Sequence, residues 1–441
     1  MGGEGDYTPD IHRGRLSVST ASEAQTVVDK IIQYECNPVM TPSFYDKGVN
    51  CAYFQDDDEN SYADRRFAQT SEDVRDYLQD NHDKTIQRIY YTESNVTPLY
   101  WNNTKYSNGE PIPEELHKPG FAWDGDAEDI TSAINEGAFY VLHRDHGENW
   151  GWCDPEYDIS DINALANGNK LPVVFSLNCL TGQFDSGTCF AEAFLRKANG
   201  GCVGIYGATQ SSMSGYNDVL TGGMFDAIWP DPGLRIVMPS NNPAEDYIPD
   251  PVYRLGEILD QGFTRLTEIY GANAPYTLYT KELFHCFGDP SMQIYTDVPS
   301  PFTNVMLSSN GNSITVSLAS GSATITFYDM MNGNVASYIG TNAVYQTNYP
   351  YNVTVCISGH NKIPYIWEVK ALPDIYIQNE TIFGSKTYNA ETIKVGSDVT
   401  TAKPEGPVVF ESGSITLKAD EIEIKSNTTI SSETEFKAIA E

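Results

Sequence analysis

Up to about residue 300, apolar runs alternate with segments that carry apolar residues at helical spacing. The first such segment follows Thr20-Ala-Ser-Glu23, which has the form of a helix-capping box. Another helix is expected to start near Ser71, and Asp126 can cap a further helix, which stops at Gly137. Strands that alternate with helices predict an α/β fold with an open, mostly parallel sheet flanked by helices. The predicted strands are 49–54, 86–91, 139–142, 173–177 and 202–206.

The pattern changes near Pro299, where short runs begin to alternate apolar and polar residues, as at Ile314, Val316 and Leu318. Such runs between Gly and Asn turns predict a β-sandwich of immunoglobulin type. Further on, the motif of residues 390–395 recurs at 419–424, an offset of 29 residues (419 − 390), which indicates a short β-solenoid. We therefore expect an α/β domain over 1–298, a sandwich over 299–372 and a β-rich tail over 373–441.

The net charge of the chain argues against two classes of binding partner. The chain has 60 acidic and 27 basic residues, a formal net charge of −33. Nucleic acids and anionic membranes bind basic surfaces, so neither is expected as a partner. No apolar run approaches the roughly 20 residues of a membrane helix. Eight cysteines are spread along the chain without the density of a disulfide framework, and the first residues do not read as a signal peptide.

Two strand ends carry the candidate chemistry. The strand at 173–177 leads into Asn178-Cys179, and the strand at 139–142 leads into a segment containing His143, His146 and Gly147. Ligands collect at the carboxyl edge of such sheets, and consecutive strands are often neighbours. A cysteine beside an imidazole is the pair that a thiol nucleophile needs.

The other cysteines and histidines have plainer explanations. Cys189 and Cys202 are expected in the core, because cysteine is among the most buried residue types. Cys153 is interpreted as a half-buried loop residue. His143 competes with His146 for the role of base, and the His-Gly pair favours His146. The spacing of these residues does not resemble a zinc site.

The acidic run Asp56-Asp57-Asp58-Glu59 follows the first predicted strand. Carboxylates bind calcium, but a solvated turn is the more common use of such a run. This one lacks the glycine and spacing of an EF-hand.

These residues resemble the gingipain family of cysteine peptidases, peptidase family C25, from about residue 9 to residue 295. The matching segments keep the order and spacing of the family. They are 10–16 (DIHRGRL), 146–148 (HGE), 177–184 (LNCLTGQF), 189–194 (CFAEAF) and 287–291 (FGDPS).

The resemblance implies a caspase-like catalytic domain followed by an immunoglobulin-like domain. It implies Cys179 as nucleophile, His146 as general base, and an oxyanion hole from the backbone N–H groups of Cys179 and Gly147. Asp56 falls where gingipains carry a third carboxylate, which would orient His146. Asp64 lies near the acid that binds a basic P1 side chain in arginine-specific members.

The chain also departs from the family. Leu180-Thr-Gly-Gln183 replaces the usual Asn-Gly-Asp after the nucleophile, and the charged pair Arg144-Asp145 precedes the base. The chain starts inside the family's catalytic region, so the first of two caspase-like subdomains is expected to be largely absent. These departures put the P1 specificity in question while leaving the catalytic pair intact.

The sequence thus predicts a secreted or cell-surface cysteine endopeptidase that acts on proteins or peptides and needs no cofactor for catalysis. The resemblance also allows a structural calcium ion, with no ligands assigned. One alternative is a gingipain-like protein with little turnover that serves in binding or secretion. Another is a clostripain-like peptidase that processes itself in the loop at 95–123 or near Pro299.

Overall fold

The computed structural model describes residues 9, 11–102, 109–234, 236, 250–310, 312–319, 321–347, 352–369 and 374–440. The chain divides into two units. The first comprises residues 1–300 with 360–363, and the second comprises 301–359 with 364–441.

A six-stranded sheet lies at the centre of the first unit. The strands up to residue 299 are β1 (Lys47–Tyr53), β2 (Thr85–Tyr91), β3 (Tyr140–Arg144), β4 (Gly147–Glu148), β5 (Gly151–Trp152), β6 (Tyr157–Asp158), β7 (Val173–Ser176), β8 (Gly204–Ala208) and β9 (Phe284–Phe287). The six run in the order β2-β1-β3-β7-β8-β9, and β4, β5 and β6 form a separate small sheet. The first five are parallel, and β9 is antiparallel to β8. The expected mostly parallel sheet is confirmed.

Helices and one 3₁₀ turn connect these strands. They are α1 (Ala21–Cys36), α2 (Pro42–Asp46), α3 (Phe67–His82), the turn Glu114–Leu116, α4 (Ala127–Glu136), α5 (Ile159–Ala164), α6 (Phe190–Arg196), α7 (Ser214–Ile228), α8 (Leu255–Tyr270) and α9 (Pro275–Leu283). Within the described part of the chain, no helix combines the length and apolarity needed to cross a bilayer.

The predicted helix ends are confirmed where capping chemistry marks them. The Thr20 side chain accepts from the N–H of Glu23, and the Glu23 carboxylate accepts from the N–H of Thr20. Asp126 caps α4 in the same way, and that helix ends at Gly137, whose φ of 108° favours glycine. α3 begins at Phe67, earlier than the expected start near Ser71.

The loop at 95–123 contributes buried aromatic and apolar residues to the first unit. Trp101, Ile112, Leu116 and Trp123 are buried in a second cluster with residues of β1 and β2. The Trp123 indole donates to the carbonyl of Leu116 at 2.7 Å. Residues 103–108 of this loop lie outside the described residues.

The described elements from residue 300 onward are β-strands, of which the one at 362–363 belongs to the first unit. The strands from residue 300 onward are β10 (Ser300–Pro301), β11 (Val305–Asn310), β12 (Ser313–Leu318), β13 (Ala323–Asp329), β14 (Asn334–Gly340), β15 (Asn342–Gln346), β16 (Val353–Ser358), β17 (Lys362–Ile363), β18 (Tyr365–Glu368), β19 (Ile375–Ile377), β20 (Glu380–Phe383), β21 (Lys386–Asn389), β22 (Thr392–Val395), β23 (Val408–Ala419), β24 (Glu421–Ile424), β25 (Thr428–Ile430) and β26 (Thr434–Ala440). One sheet has the order β11-β12-β15 and another has β14-β13-β16-β18. Their inward residues, such as Val316, Phe327 and Val355, share one core, as in a sandwich. Its immunoglobulin type stays a prediction.

The tail from residue 374 is built of parallel strands. The repeated motif falls on β22 and β24, which pair with Ile393 opposite Ile422 and Val395 opposite Ile424. Ile393, Val395 and Ile377 of the neighbouring β19 are buried in one apolar core. Ile422 packs against this core, while Ile424 is exposed. The 29-residue repeat therefore corresponds to stacked coils.

Candidate active site

Cys179 and His146 follow neighbouring strands of the central sheet. β3 and β7 are parallel, with Tyr140 opposite Val173 and His143 opposite Ser176. The two strands therefore end at the same edge, and the side chains of His146 and Cys179 line one cleft of about 510 Å³. The structure thus brings together the predicted nucleophile and base.

Ser212, which the sequence reasoning did not single out, contacts the thiol directly. Its backbone N–H donates to Sγ of Cys179 at 3.2 Å. Its hydroxyl donates to the carbonyl of Asn178 at 3.0 Å and accepts from the Asn217 amide at 2.6 Å. A donor on the sulfur stabilises negative charge there. Ser212 follows β8, the other neighbour of β7, so the rule that located Cys179 also points to it.

The turn at the nucleophile is tightly packed. A Cβ atom added to Gly147 would lie 2.6 Å from the Cys179 carbonyl oxygen and 2.8 Å from Asn178 Oδ1. Only glycine fits so close an approach. Leu180 has a φ of 59°, in the left-handed region that a leucine rarely adopts. Strained residues of this kind concentrate at functional sites.

His146 is held by an amide. Its Nε2 lies 3.1 Å from Gln55 Oε1, and the Gln55 amide nitrogen donates to the Asp57 carboxylate at 2.9 Å. A carboxylate only accepts, so the Gln55 NH₂ faces Asp57 and its oxygen faces the histidine. His146 then carries its proton on Nε2, which leaves Nδ1 as the basic ring nitrogen.

The imidazole is exposed at the rim of the cleft but packs on protein at one side. Its ring meets the Phe67 ring edge-to-face, with centroids 5.3 Å apart. Partial burial lowers the pKa of His146, and the Arg65 cation lowers it further, while Asp57 opposes both. The neutral imidazole is therefore favoured.

Asp56, expected to orient His146, makes other contacts. Its carboxylate accepts from the N–H groups of Asn60 at 2.9 Å and Ser61 at 2.8 Å, which closes the turn after β1. Gln55, one residue earlier, occupies the position against His146 instead. The orienting contact predicted for Asp56 is thus made by Gln55.

Asp64 lines the cleft, as a P1-binding acid would. Its Oδ2 accepts from the backbone N–H of Asp57 at 2.8 Å, and its backbone carbonyl accepts from Asn102 at 2.9 Å. On another part of the lining, Tyr216 stacks on Tyr270 with centroids 4.0 Å apart.

His143 does not share the role of His146. It is fully buried and stacks on Trp152 with centroids 4.3 Å apart. Its Nδ1 lies 2.7 Å from the amide nitrogen of Asn178, the residue before the nucleophile. Burial holds the pKa of His143 well below its ordinary value, so the ring stays neutral.

The other cysteines occupy the places expected of them. Cys189 and Cys202 are buried, and Cys153 is half-buried, with its pKa raised to about 12 mainly by burial. Among the residues described, no group of three or more His, Cys, Asp or Glu side chains is arranged to hold a metal ion. Calcium binding stays a prediction.

Comparison with known proteins places the chain in a family. Residues 1–295 match the sequence model of Peptidase family C25. The chain belongs to that family. Lys-gingipain HG66 of Porphyromonas gingivalis is 22% identical over 380 residues, which are 83% of this chain and 20% of that protein. Gingipain R2 of the same species is 23% identical over 377 residues, 83% of this chain and 45% of that protein. The C25 chain thus spans less than half the length of these relatives.

A solved structure shares the fold. The crystal structure of the Arg-specific cysteine proteinase gingipain R superposes with a TM-score of 0.60 at 19% identity, covering 82% of this chain and 75% of that one. The α/β fold expected from the sequence is confirmed.

Proposed function

We propose that this C25 chain is a cysteine endopeptidase in which Cys179 is the nucleophile and His146 the general base. The supporting observation is that these two side chains, which follow adjacent parallel strands, line one cleft. A thiol and an imidazole at the mouth of a substrate-sized cleft suit acyl transfer.

In this mechanism Nδ1 of His146 takes the thiol proton, and Sγ forms a bond to the scissile carbonyl carbon. The resulting oxyanion is stabilised by the backbone N–H groups of Cys179 and Gly147. As the C–N bond breaks, His146 gives the proton to the leaving amine. Water, deprotonated by His146, then attacks the thioester and releases Cys179. Gln55 keeps the reacting nitrogen directed at the cleft by holding the Nε2 proton.

The proposed substrates are proteins or peptides with a basic P1 residue. Asp64 supplies a carboxylate in the cleft, and the stacked pair Tyr216 and Tyr270 gives apolar surface for an alkyl stem. A carboxylate binds a guanidinium through two parallel hydrogen bonds. We also propose a secreted or cell-surface location, in keeping with the net charge of −33.

The nucleophile is tested by positional scanning with fluorogenic peptides, with reductant and with or without calcium. We expect cleavage after Arg or Lys, and a loss of about 10³-fold or more in Cys179→Ala. Cys153→Ala is the matched control and should keep full activity. Activity retained in Cys179→Ala, or no cleavage by the intact protein, would reject the proposal.

The P1 acid is tested by comparing peptides with Arg or citrulline at P1. Asp64→Asn should lower the preference for Arg by about 10- to 100-fold, since a charge-assisted hydrogen bond contributes about 1.5–3 kcal/mol. Asp58→Asn, at an exposed position in the acidic run at 56–59, is the control. An unchanged preference in Asp64→Asn would remove Asp64 from this role and leave the catalytic pair untouched.

A further inference from the structure

Arg144 is a charged residue in the core beside the active site. It is the last residue of β3, two positions before His146, and its side chain is 0% exposed. A buried charge is costly unless it is paired and hydrogen-bonded. Its position and its partners therefore indicate a role in addition to stabilising the fold.

The guanidinium joins two of the elements that form the cleft. It donates to the carbonyl of Leu177, two residues before Cys179, and to the carboxylate of Asp218. It also donates to the carbonyl of Ser214 at 3.3 Å. Ser214 and Asp218 lie at the start of α7 and line the cleft. One cation thus ties the nucleophile strand to a wall of the cleft.

The same side chain reaches the base through an aromatic ring. Its guanidinium carbon lies 5.3 Å from the centre of the Phe67 ring, and Phe67 packs against His146. Asp218 in turn accepts from Thr70 of α3 at 2.9 Å, so the helix that carries Phe67 is linked to α7. The strand that leads to Cys179, the helix α7 and the helix that carries Phe67 therefore each contact Arg144 or its partner Asp218.

We propose that Arg144 is a positioning residue, which sets the Cys179 strand end, the α7 wall and the Phe67–His146 pair in one catalytic geometry. The inference rests on the proposed peptidase function. Arginine is required because its planar fork offers several donors in fixed directions, whereas a lysine carries one nitrogen. Small displacements of reacting groups lower the rate of the chemical step more than they weaken binding.

Arg144→Lys tests this, because it keeps a cation for Asp218 while losing the simultaneous contacts with Leu177 and Ser214. We expect kcat to fall about 10- to 100-fold with KM changed by less than about threefold. Arg265→Lys is the matched control. Arg265 lies on α8 and pairs with Asp226 of α7 at 2.6 Å, and it is outside the cleft. The control should keep kcat, and an equal loss in both variants would assign the effect to a loosened α7 and overturn the proposal.

A second variant separates a loss of activity from a loss of folding stability. Arg144→Met/Asp218→Leu leaves neither charge unpaired in the core, and such replacements are often neutral for stability. We expect its melting temperature to stay near that of the wild type while kcat remains at least tenfold lower. Recovery of kcat together with stability would show a purely structural role. This variant also decides the matter if Arg144→Lys does not fold.

The outcome is separable from failure of the proposed function. If the intact protein shows no Cys179-dependent turnover, the peptidase proposal fails by itself. The inference is then tested by the rate at which iodoacetamide alkylates Cys179, since alkylation needs no turnover. A rate that is the same in wild type and Arg144→Lys would overturn the positioning role.

Discussion

His146 Nε2 lies 3.1 Å from the side-chain oxygen of Gln55, whose amide nitrogen is fixed by Asp57 at 2.9 Å. An amide here holds the imidazole tautomer without placing a negative charge on it. A carboxylate in the same place would favour the protonated ring. The chain therefore orients its base while keeping it neutral.

The first prediction concerns this contact. Gln55→Leu removes the acceptor that fixes the Nε2 proton, so kcat should fall by about tenfold with little change in KM. The exchange Gln55→Glu/Asp57→Asn keeps a hydrogen-bonded pair but sets the carboxylate against His146. It should retain more activity than Gln55→Leu and move the acidic limb of kcat/KM to higher pH. Identical pH profiles for the exchange and the wild type would contradict the assigned contact.

The second prediction concerns the cation beside the base. After burial, Arg65 is the largest cause of the lowered pKa of His146. Removing the cation in Arg65→Met should raise that pKa, so the neutral base is lost at a higher pH on acidification. The acidic limb of kcat/KM should therefore move to higher pH, and the difference from wild type should shrink as salt is added. Arg254→Met, at the start of α8, is the control and should leave the limb in place.

The third prediction concerns the glycine after the base. Gly147→Ala would place a methyl group 2.6 Å from the Cys179 carbonyl oxygen, so the nucleophile turn must move. We expect kcat to fall by about 100-fold and stability to fall by about 1–3 kcal/mol. Gly120→Ala, whose added Cβ has its nearest contact at 3.3 Å, is the control. Wild-type kcat in Gly147→Ala would show that the close approach has no part in catalysis.

Sequence patterns predicted those parts of the fold that have local causes. Capping residues marked α1 and α4, apolar runs marked β1, β3 and β7, and a 29-residue repeat marked the parallel coils of the tail. The helix α7 was not predicted because it is buried along most of its length and so lacks the polar face by which a helix is recognised in sequence. β9 joins the sheet antiparallel after a long separation in sequence, which no local pattern encodes.

The site was predictable to the extent that strand ends specify it. Cys179 and His146 follow apolar runs, and the parallel order of β3 and β7 brings them together. Gln55 was missed because which of two adjacent side chains faces His146 depends on the turn that Asp56 closes with Asn60 and Ser61. Ser212 was missed because its shortest contact with the sulfur is made by the backbone N–H, a group that every residue type except proline has.

The last prediction concerns the stability of the site at different pH values. Asp145 is the residue between Arg144 and His146 in the sequence. It is 2% exposed and lines the cleft. Burial holds the pKa of its carboxyl well above the ordinary value, and Asp154 adds to this, while N–H donors from His146 and Asp154 oppose it. A folded-state pKa above that of the unfolded chain, about 3.9, means that stability is full below that value and declines as pH rises through the folded pKa. Asp145→Asn keeps an acceptor for the Asp154 N–H but cannot ionise.

We therefore expect the melting temperature of Asp145→Asn, relative to wild type, to increase between pH 4.5 and pH 8, by about 2 °C or more. The measurement is thermal unfolding of both proteins across that range. Asp80→Asn, at an exposed position on α3, is the control and should follow wild type at every pH. A constant difference between Asp145→Asn and wild type would mean that this carboxyl titrates alike in the folded and unfolded chains. The surroundings of Asp145 and His146 would then be more accessible to water than their packing indicates.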